Sequence, residues 1–261
     1  MLLRQAGLSR QARWILCAAV LLASCGSSQR TPETAAKFTV AAAANLTDVF
    51  GELGPAFKAQ KGIDVVFSYG ATAELTQQIE NGAPFDVFAA ADTEHIDFLV
   101  ARQKLAADSQ AIYAKGQLAL WIPGGESSGI QDLKGLAAPT IHFIALAQPK
   151  LAPYGQAAVD ALKNAHLWEP LQRKIVYANS ISMARQLAAT GNADAAFTAY
   201  SLVLHERGTV SKVDPNLYHP IEQASAIVSS TSRMQEAKQF QSFLLGPEGR
   251  AILAKSGYLL P

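Results

Sequence analysis

Cysteine is nearly absent: the 261-residue chain has two, Cys17 and Cys25, both close to its start. The body of the chain therefore offers no disulfide framework and no thiolate metal site. Charge is also sparse, at 16 % of residues, and balances to a formal +1, so no basic field exists to hold nucleic acid or an anionic membrane surface. Long apolar runs are missing as well. The longest, Trp14 to Ala23, is about half of the roughly 20 residues that a spanning helix needs. The five histidines (His95, His142, His166, His205, His219) are scattered, with no HExxH and no carboxylate at matched spacing, which argues against a histidine-based zinc site. A phosphate-binding P-loop and a G-x-G-x-x-G turn after a strand are lacking. The one G-x-S-x-G string, Gly125 to Gly129, lies in a turn-rich stretch rather than between a strand and a helix start, so it reads as a surface loop and not as a nucleophile elbow. What is present is apolar content: 49 % of residues, enough for one or two packed domains.

Arg4, Arg10 and Arg13 precede the apolar run, which ends at Ala23-Ser24-Cys25. A basic stretch, a short apolar stretch and a small-residue end describe a secretory signal over residues 1–24. Leu22-Ala23-Ser24-Cys25 resembles the bacterial lipobox, which implies that the Cys25 thiol receives a diacylglycerol and opens the mature chain. The competing reading is a plain signal peptide with an incidental cysteine. Loss of the three arginines shifts the formal charge from +1 to −2. Residues 25–37, polar and without periodicity, read as a tether.

From Phe38 onward, short apolar runs alternate with stretches of helical period, the pattern of an α/β protein with largely parallel sheets. Strands are expected at Phe38–Ala43, Val65–Ser68, Asp86–Ala90, Leu118–Ile122, Ile141–Ala145, Lys174–Tyr177, Ala195–Thr198 and Ala224–Ser229. Helices are expected after the first strand up to Gly62, then at Ala73–Glu80, Thr93–Arg102, Gln156–Asn164, Ser182–Ala189, Glu236–Leu244 and Gly249–Lys255. The turn-rich break Pro123 to Gly129 follows the strand that opens a second unit.

Four strand-to-helix junctions made of small and hydroxyl residues carry the chemistry. Ala44-Asn45 follows the first strand and Ala71-Thr72 the second, while Pro153-Tyr154-Gly155 and Asn179-Ser180-Ile181 open helices of the second unit. Small residues let a ligand approach the backbone, and the first N–H groups of a helix lack an intrahelical partner. Such junctions suit anions without a counter-charge. Taken singly, Asn45 and Thr72 also read as ordinary helix caps, Tyr154 as a packed surface tyrosine and Asp48 as compensation of a helix dipole. Two junctions at the carboxyl ends of adjacent parallel strands favour binding, because ligands of open α/β sheets sit there.

In this order the junctions resemble the molybdate-binding proteins of bacterial ABC-type importers. The resemblance rests on Val40 to Thr47 (VAAAANLT), Gln77 to Phe88 (QQIENGAPFDVF), Pro153-Tyr154-Gly155, Thr190 to Ala195 (TGNADA), Gly246-Pro247-Glu248-Gly249 and Tyr258, and spans nearly all of residues 38–261. It implies a two-lobed periplasmic-binding-protein fold of type II, mostly parallel sheets flanked by helices, with the ligand cleft between lobes. Lobe I would be residues 38–116 plus 221–261, and lobe II residues 117–220. The family's oxyanion site maps onto Asn45, Thr72, Tyr154 and Ile181, with Ala44, Ala71, Ser180 and Tyr200 as secondary candidates; Tyr200 is the reserve should Tyr154 not supply the second-lobe donor.

The implied protein is not an enzyme and has no cofactor; metal enters only as the molybdate or tungstate oxyanion. Its implied partners are the anion and the membrane permease of the importer, with no nucleic acid, acting as a monomer anchored outside the cytoplasm through Cys25. Molybdate and tungstate are fully deprotonated dianions near neutral pH, so donors alone suffice, whereas protonated phosphate needs an acceptor. Sulfate is likewise a donor-only ligand. The rival readings are a receptor of the same fold for sulfate, tungstate or a chelated metal, a lipoprotein hydrolase using Ser or Asp, and an adhesive surface lipoprotein. The hydrolase lacks a base placed by spacing beside any serine.

Overall fold

The computed structural model describes residues 37–124 and 132–261. The leader, Cys25 and the tether lie outside the described residues, as does the Gly125 to Gly129 part of the turn-rich break. In chain order the strands are β1 (Phe38–Ala43), β2 (Val65–Gly70), β3 (Val87–Ala89), β4 (Ala111–Gly116), β5 (Leu118–Ile122), β6 (Ile144–Ala147), β7 (Ile175–Ala178), β8 (Ala195–Ala199), β9 (Thr209–Lys212) and β10 (Ile221–Ile227). The helices are α1 (Thr47–Lys61), α2 (Thr72–Glu80), α3 (Glu94–Ala101), α4 (Pro153–Asn164), α5 (Trp168–Leu171), α6 (Ile181–Ala189), α7 (Met234–Leu245) and α8 (Pro247–Lys255).

The strands form two five-stranded sheets, ordered β2-β1-β3-β10-β4 and β7-β6-β8-β5-β9. Each sheet has a parallel trio, β2-β1-β3 and β7-β6-β8, built by helical crossovers as the alternating pattern requires. Each is completed by antiparallel strands: β10 against β3 and β4, and β5 against β8 and β9. The sheets are therefore mixed rather than mostly parallel, because the chain passes between them without the α-helical crossovers that parallel pairing needs. One passage is a single residue, Gln117, between β4 and β5; the return leads from β9 to β10.

Registers within the trios place the loops. Ala43 pairs with Gly70 at the ends of β1 and β2, so the chain leaves these strands abreast. Ala147 pairs with Ala178 at the ends of β6 and β7 in the same way. Behind the first sheet, Val49, Phe50, Leu53 and Phe57 of α1 are buried at helical spacing, and Phe57 meets Phe240 of α7 edge-on at 5.3 Å. Gly62 ends α1 in the left-handed region at φ 71°, its N–H closing on the Lys58 carbonyl at 2.8 Å, a conformation that favours glycine.

Several boundaries differ from expectation. α4 begins at Pro153, three residues early, because proline fits the first helical position, where an N–H has no partner anyway. The strand expected at Ile141–Ala145 lies at Ile144–Ala147, and the one expected at Ala224–Ser229 lies at Ile221–Ile227. β4 and β9 were not anticipated: β4 has no regular alternation of buried and exposed residues, and β9 (TVSK) holds a single apolar residue, Val210.

Candidate functional site

Asn45 lies in a tight 3-10 turn, Ala44–Leu46, between β1 and α1, and its side chain caps neither. Its Nδ2 donates instead to Gln223 Oε1 at 2.8 Å and to the Tyr258 hydroxyl at 2.9 Å. Both amide hydrogens are thereby engaged inside the protein. Thr72 opens α2, again without capping it, and its Oγ1 accepts the Ala91 N–H at 3.3 Å. Accepting leaves the hydroxyl hydrogen of Thr72 to be donated elsewhere. The capping reading thus fails for both residues, which are each 1 % exposed. Ala44 and Ala71, beside them, are buried and present only methyl groups and backbone.

On the second sheet, Tyr154 occupies the first turn of α4 and is buried, not a surface residue. Its hydroxyl oxygen accepts from Gln223 Nε2 at 2.9 Å. Burial pushes the Tyr154 phenol well above its ordinary pKa, and the neighbouring Tyr258 adds to this, so the group stays neutral and keeps its hydrogen. Ile181 is the first residue of α6, and the Ser180 hydroxyl before it accepts from the Met183 N–H at 3.2 Å. Ser180 therefore acts as a helix cap, while the first main-chain N–H groups of α6 remain without intrahelical acceptors.

These loops meet. Ser182 Oγ of α6 donates to the Ala44 carbonyl at 3.0 Å, and the Ala73 N–H of α2 donates to the Leu151 carbonyl at 3.1 Å, so both junctions of one sheet touch those of the other. Gln223 of β10 bonds Asn45 through one end of its amide and Tyr154 through the other. The Tyr200 ring lies 4.3 Å from the Lys212 ammonium and packs against Gly257, and among the described residues no hydrogen bond ties its hydroxyl to Asn45 or Gln223. Among the described carboxylates only Asp86 is buried, and it is held away from the cluster by the Thr39 N–H at 2.7 Å and the Thr231 hydroxyl at 2.5 Å.

Sequence reasoning missed Gln223, Tyr113 and Ser201. Gln223 is fully buried, and its Oε1 shares the Tyr113 hydroxyl, at 2.9 Å, with the Ala90 carbonyl, also at 2.9 Å; Ser201 Oγ donates to the Tyr258 hydroxyl at 3.0 Å. The available signal was an uncharged polar residue in the apolar run that continues from Gln223 to Val228. Among the described residues no group of His, Cys, Asp and Glu could hold a metal ion. Ser180, Ser182 and Ser201 bond to backbone groups or a tyrosine hydroxyl.

Two mixed sheets that converge four donor-bearing loops on one buried site define a receptor for a small solute. The bacterial extracellular solute-binding protein family matches residues 38–259. The chain is 34 % identical to the molybdate-binding protein ModA of Rhodobacter capsulatus over 87 % of this chain and 90 % of that one. It is 27 % identical to the putative ABC transporter substrate-binding lipoprotein YvgL of Bacillus subtilis, over 93 % of this chain and 95 % of that one. The solved periplasmic molybdate-binding protein of Azotobacter vinelandii superposes with a TM-score of 0.83 at 33 % identity, covering 86 % of this chain and all of that one. The chain belongs to the bacterial extracellular solute-binding proteins, in the ModA molybdate-binding group. It is a transport receptor that works outside the cytoplasm, not an enzyme.

Proposed function

We propose that the protein captures molybdate, and tungstate with it, and delivers the anion to the membrane permease of an ABC importer. The observation that carries this reading is the donor-only character of the meeting point. On this reading the Thr72 hydroxyl, the Tyr154 hydroxyl and the main-chain N–H groups that open the helices after Asn45 and Ser180 donate to the anion; the one buried carboxylate among the described residues, Asp86, is held by Thr39 and Thr231. A tetrahedral dianion needs donors on all sides and gains nothing from an acceptor, whereas hydrogen phosphate would leave its O–H unpaired in a buried site. Asn45 takes part through its main chain, since its amide is occupied by Gln223 and Tyr258. Similarity to ModA proteins from Rhodobacter and Azotobacter supports molybdate as the solute.

On this reading lobe I comprises residues 38–116 and 221–261 and lobe II residues 117–220; the membership of the two sheets is consistent with that division. The lipobox and the similarity to a Bacillus lipoprotein support anchorage through Cys25, and Cys25→Ser is expected to move the protein from the membrane to the soluble exported fraction. The receptor is proposed to work as a monomer. Thermal unfolding of the domain from residue 37 onward, with and without anions, tests the solute. Molybdate or tungstate at 100 times its dissociation constant should add about 2.7 kcal/mol of stability. Equal shifts with sulfate would make this a general sulfate-type receptor, and a shift with phosphate alone would remove the donor-only argument.

A further inference from the structure

The buried tyrosines and amides form a chain of hydrogen bonds whose directions fix one another. Tyr258 has one hydrogen, and the Asn45 carbonyl takes it at 2.8 Å. The Tyr258 oxygen is then an acceptor, and the Asn45 amide presents its NH2 end to it at 2.9 Å. The same NH2 group reaches Gln223 Oε1 at 2.8 Å, which settles the orientation of the second amide: reversed, it would oppose two donors. With Oε1 also facing the Tyr113 hydroxyl, Gln223 Nε2 points at Tyr154 and donates to its oxygen at 2.9 Å. Tyr154 therefore cannot turn its hydrogen toward Gln223. The fit is close: a Cβ on Gly116 would stand 2.6 Å from Gln223 Nε2 and overlap the Tyr154 hydroxyl oxygen, so the pair occupies space that any side chain at 116 would take.

We propose that Gln223 is a positioning residue that, by donating to the Tyr154 oxygen, aims the Tyr154 hydroxyl hydrogen into the anion site. This rests on Tyr154 being a donor to the anion. Gln223 does not touch the anion; it removes the alternative directions that the hydroxyl would otherwise sample, and a donor held in place need not be reoriented when the anion arrives. A glutamate at the same position would do the reverse, because a carboxylate offers only acceptors and would draw the hydrogen of Tyr154 onto itself.

A double-mutant cycle tests this in the domain from residue 37 onward, by calorimetry with molybdate. Tyr154→Phe and Gln223→Met are each expected to weaken binding by about tenfold, and the double variant to bind no worse than Tyr154→Phe alone within about twofold. Multiplying losses would show that Gln223 acts independently of Tyr154, and unchanged binding in Gln223→Met would show that it does not act at all; either overturns the proposal. Should Gln223→Met fail to fold, Gln223→Glu replaces it, in wild type and in Tyr154→Phe. The glutamate should then weaken binding by a larger factor when the tyrosine hydroxyl is present than when it is absent, and equal factors in the two backgrounds refute the aiming role. Absence of molybdate binding in the unsubstituted domain would instead refute the proposed function, and a silent Tyr154→Phe in a protein that binds would refute the premise about Tyr154.

Discussion

At the scale of single residues, the proposed site rests on hydroxyl groups whose acceptor side is already occupied by the protein. Thr72 shows the logic most simply: with the Ala91 N–H on its oxygen, only its hydrogen is left to offer. Thr72→Val is expected to weaken molybdate binding by about tenfold and to lower stability by about 1 to 3 kcal/mol, since the buried Ala91 N–H loses its partner. Thr72→Ser should retain most of both, and calorimetry beside denaturant titration separates the two effects. Tyr200→Phe is the comparison variant, expected to bind within about twofold of wild type because the Gln223 amide is bonded to Tyr154 and the Tyr200 ring is packed by Lys212 and Gly257. The placement of the four junctions between strand and helix was legible in the sequence, because small and hydroxyl residues there separate the apolar runs from the stretches of helical period. The way their side chains are engaged was not. Asn45 reads as a cap or a ligand from its neighbours alone, and only the residue 178 positions away that takes its amide decides between these.

At the scale of elements, the parallel trios followed from the alternation of apolar runs and helical periods, and Leu118–Ile122 lies where the pattern placed it. β4 escaped because its pattern is mixed: Ile112 is exposed while Tyr113 and Ala114 are buried, so no alternation of faces marks it. Yet β4 carries Tyr113 to the Gln223 amide and ends at Gly116, where the chain changes sheets. Gly116 is needed there for closeness rather than for an unusual backbone, since its missing side chain leaves room for the Tyr154 and Gln223 groups. Gly116→Ala is expected to cost about 1 to 3 kcal/mol of stability through overpacking, read from denaturant midpoints. It should also weaken the anion more than tenfold, because the Tyr154 hydroxyl must move aside. Unchanged affinity in Gly116→Ala would mean that the strand end yields instead.

For the molecule as a whole, the two sheets are linked through chain passages without an α-helix, and the loops they present are joined by the Ser182 to Ala44 and Ala73 to Leu151 hydrogen bonds. An anion held from both sides stabilises this joined arrangement by its differential affinity for it. Small-angle scattering should therefore show a smaller radius with saturating molybdate than without, and Ser182→Ala should enlarge the difference by loosening the unliganded form; one radius under both conditions would contradict closure. The bond between Asn45 and Tyr258 spans 213 positions of sequence. The turn after the first strand is thus held by a hydroxyl from the segment around residue 258, so whatever undocks that segment also releases the backbone at residue 45, even while the strands of the first sheet stay paired.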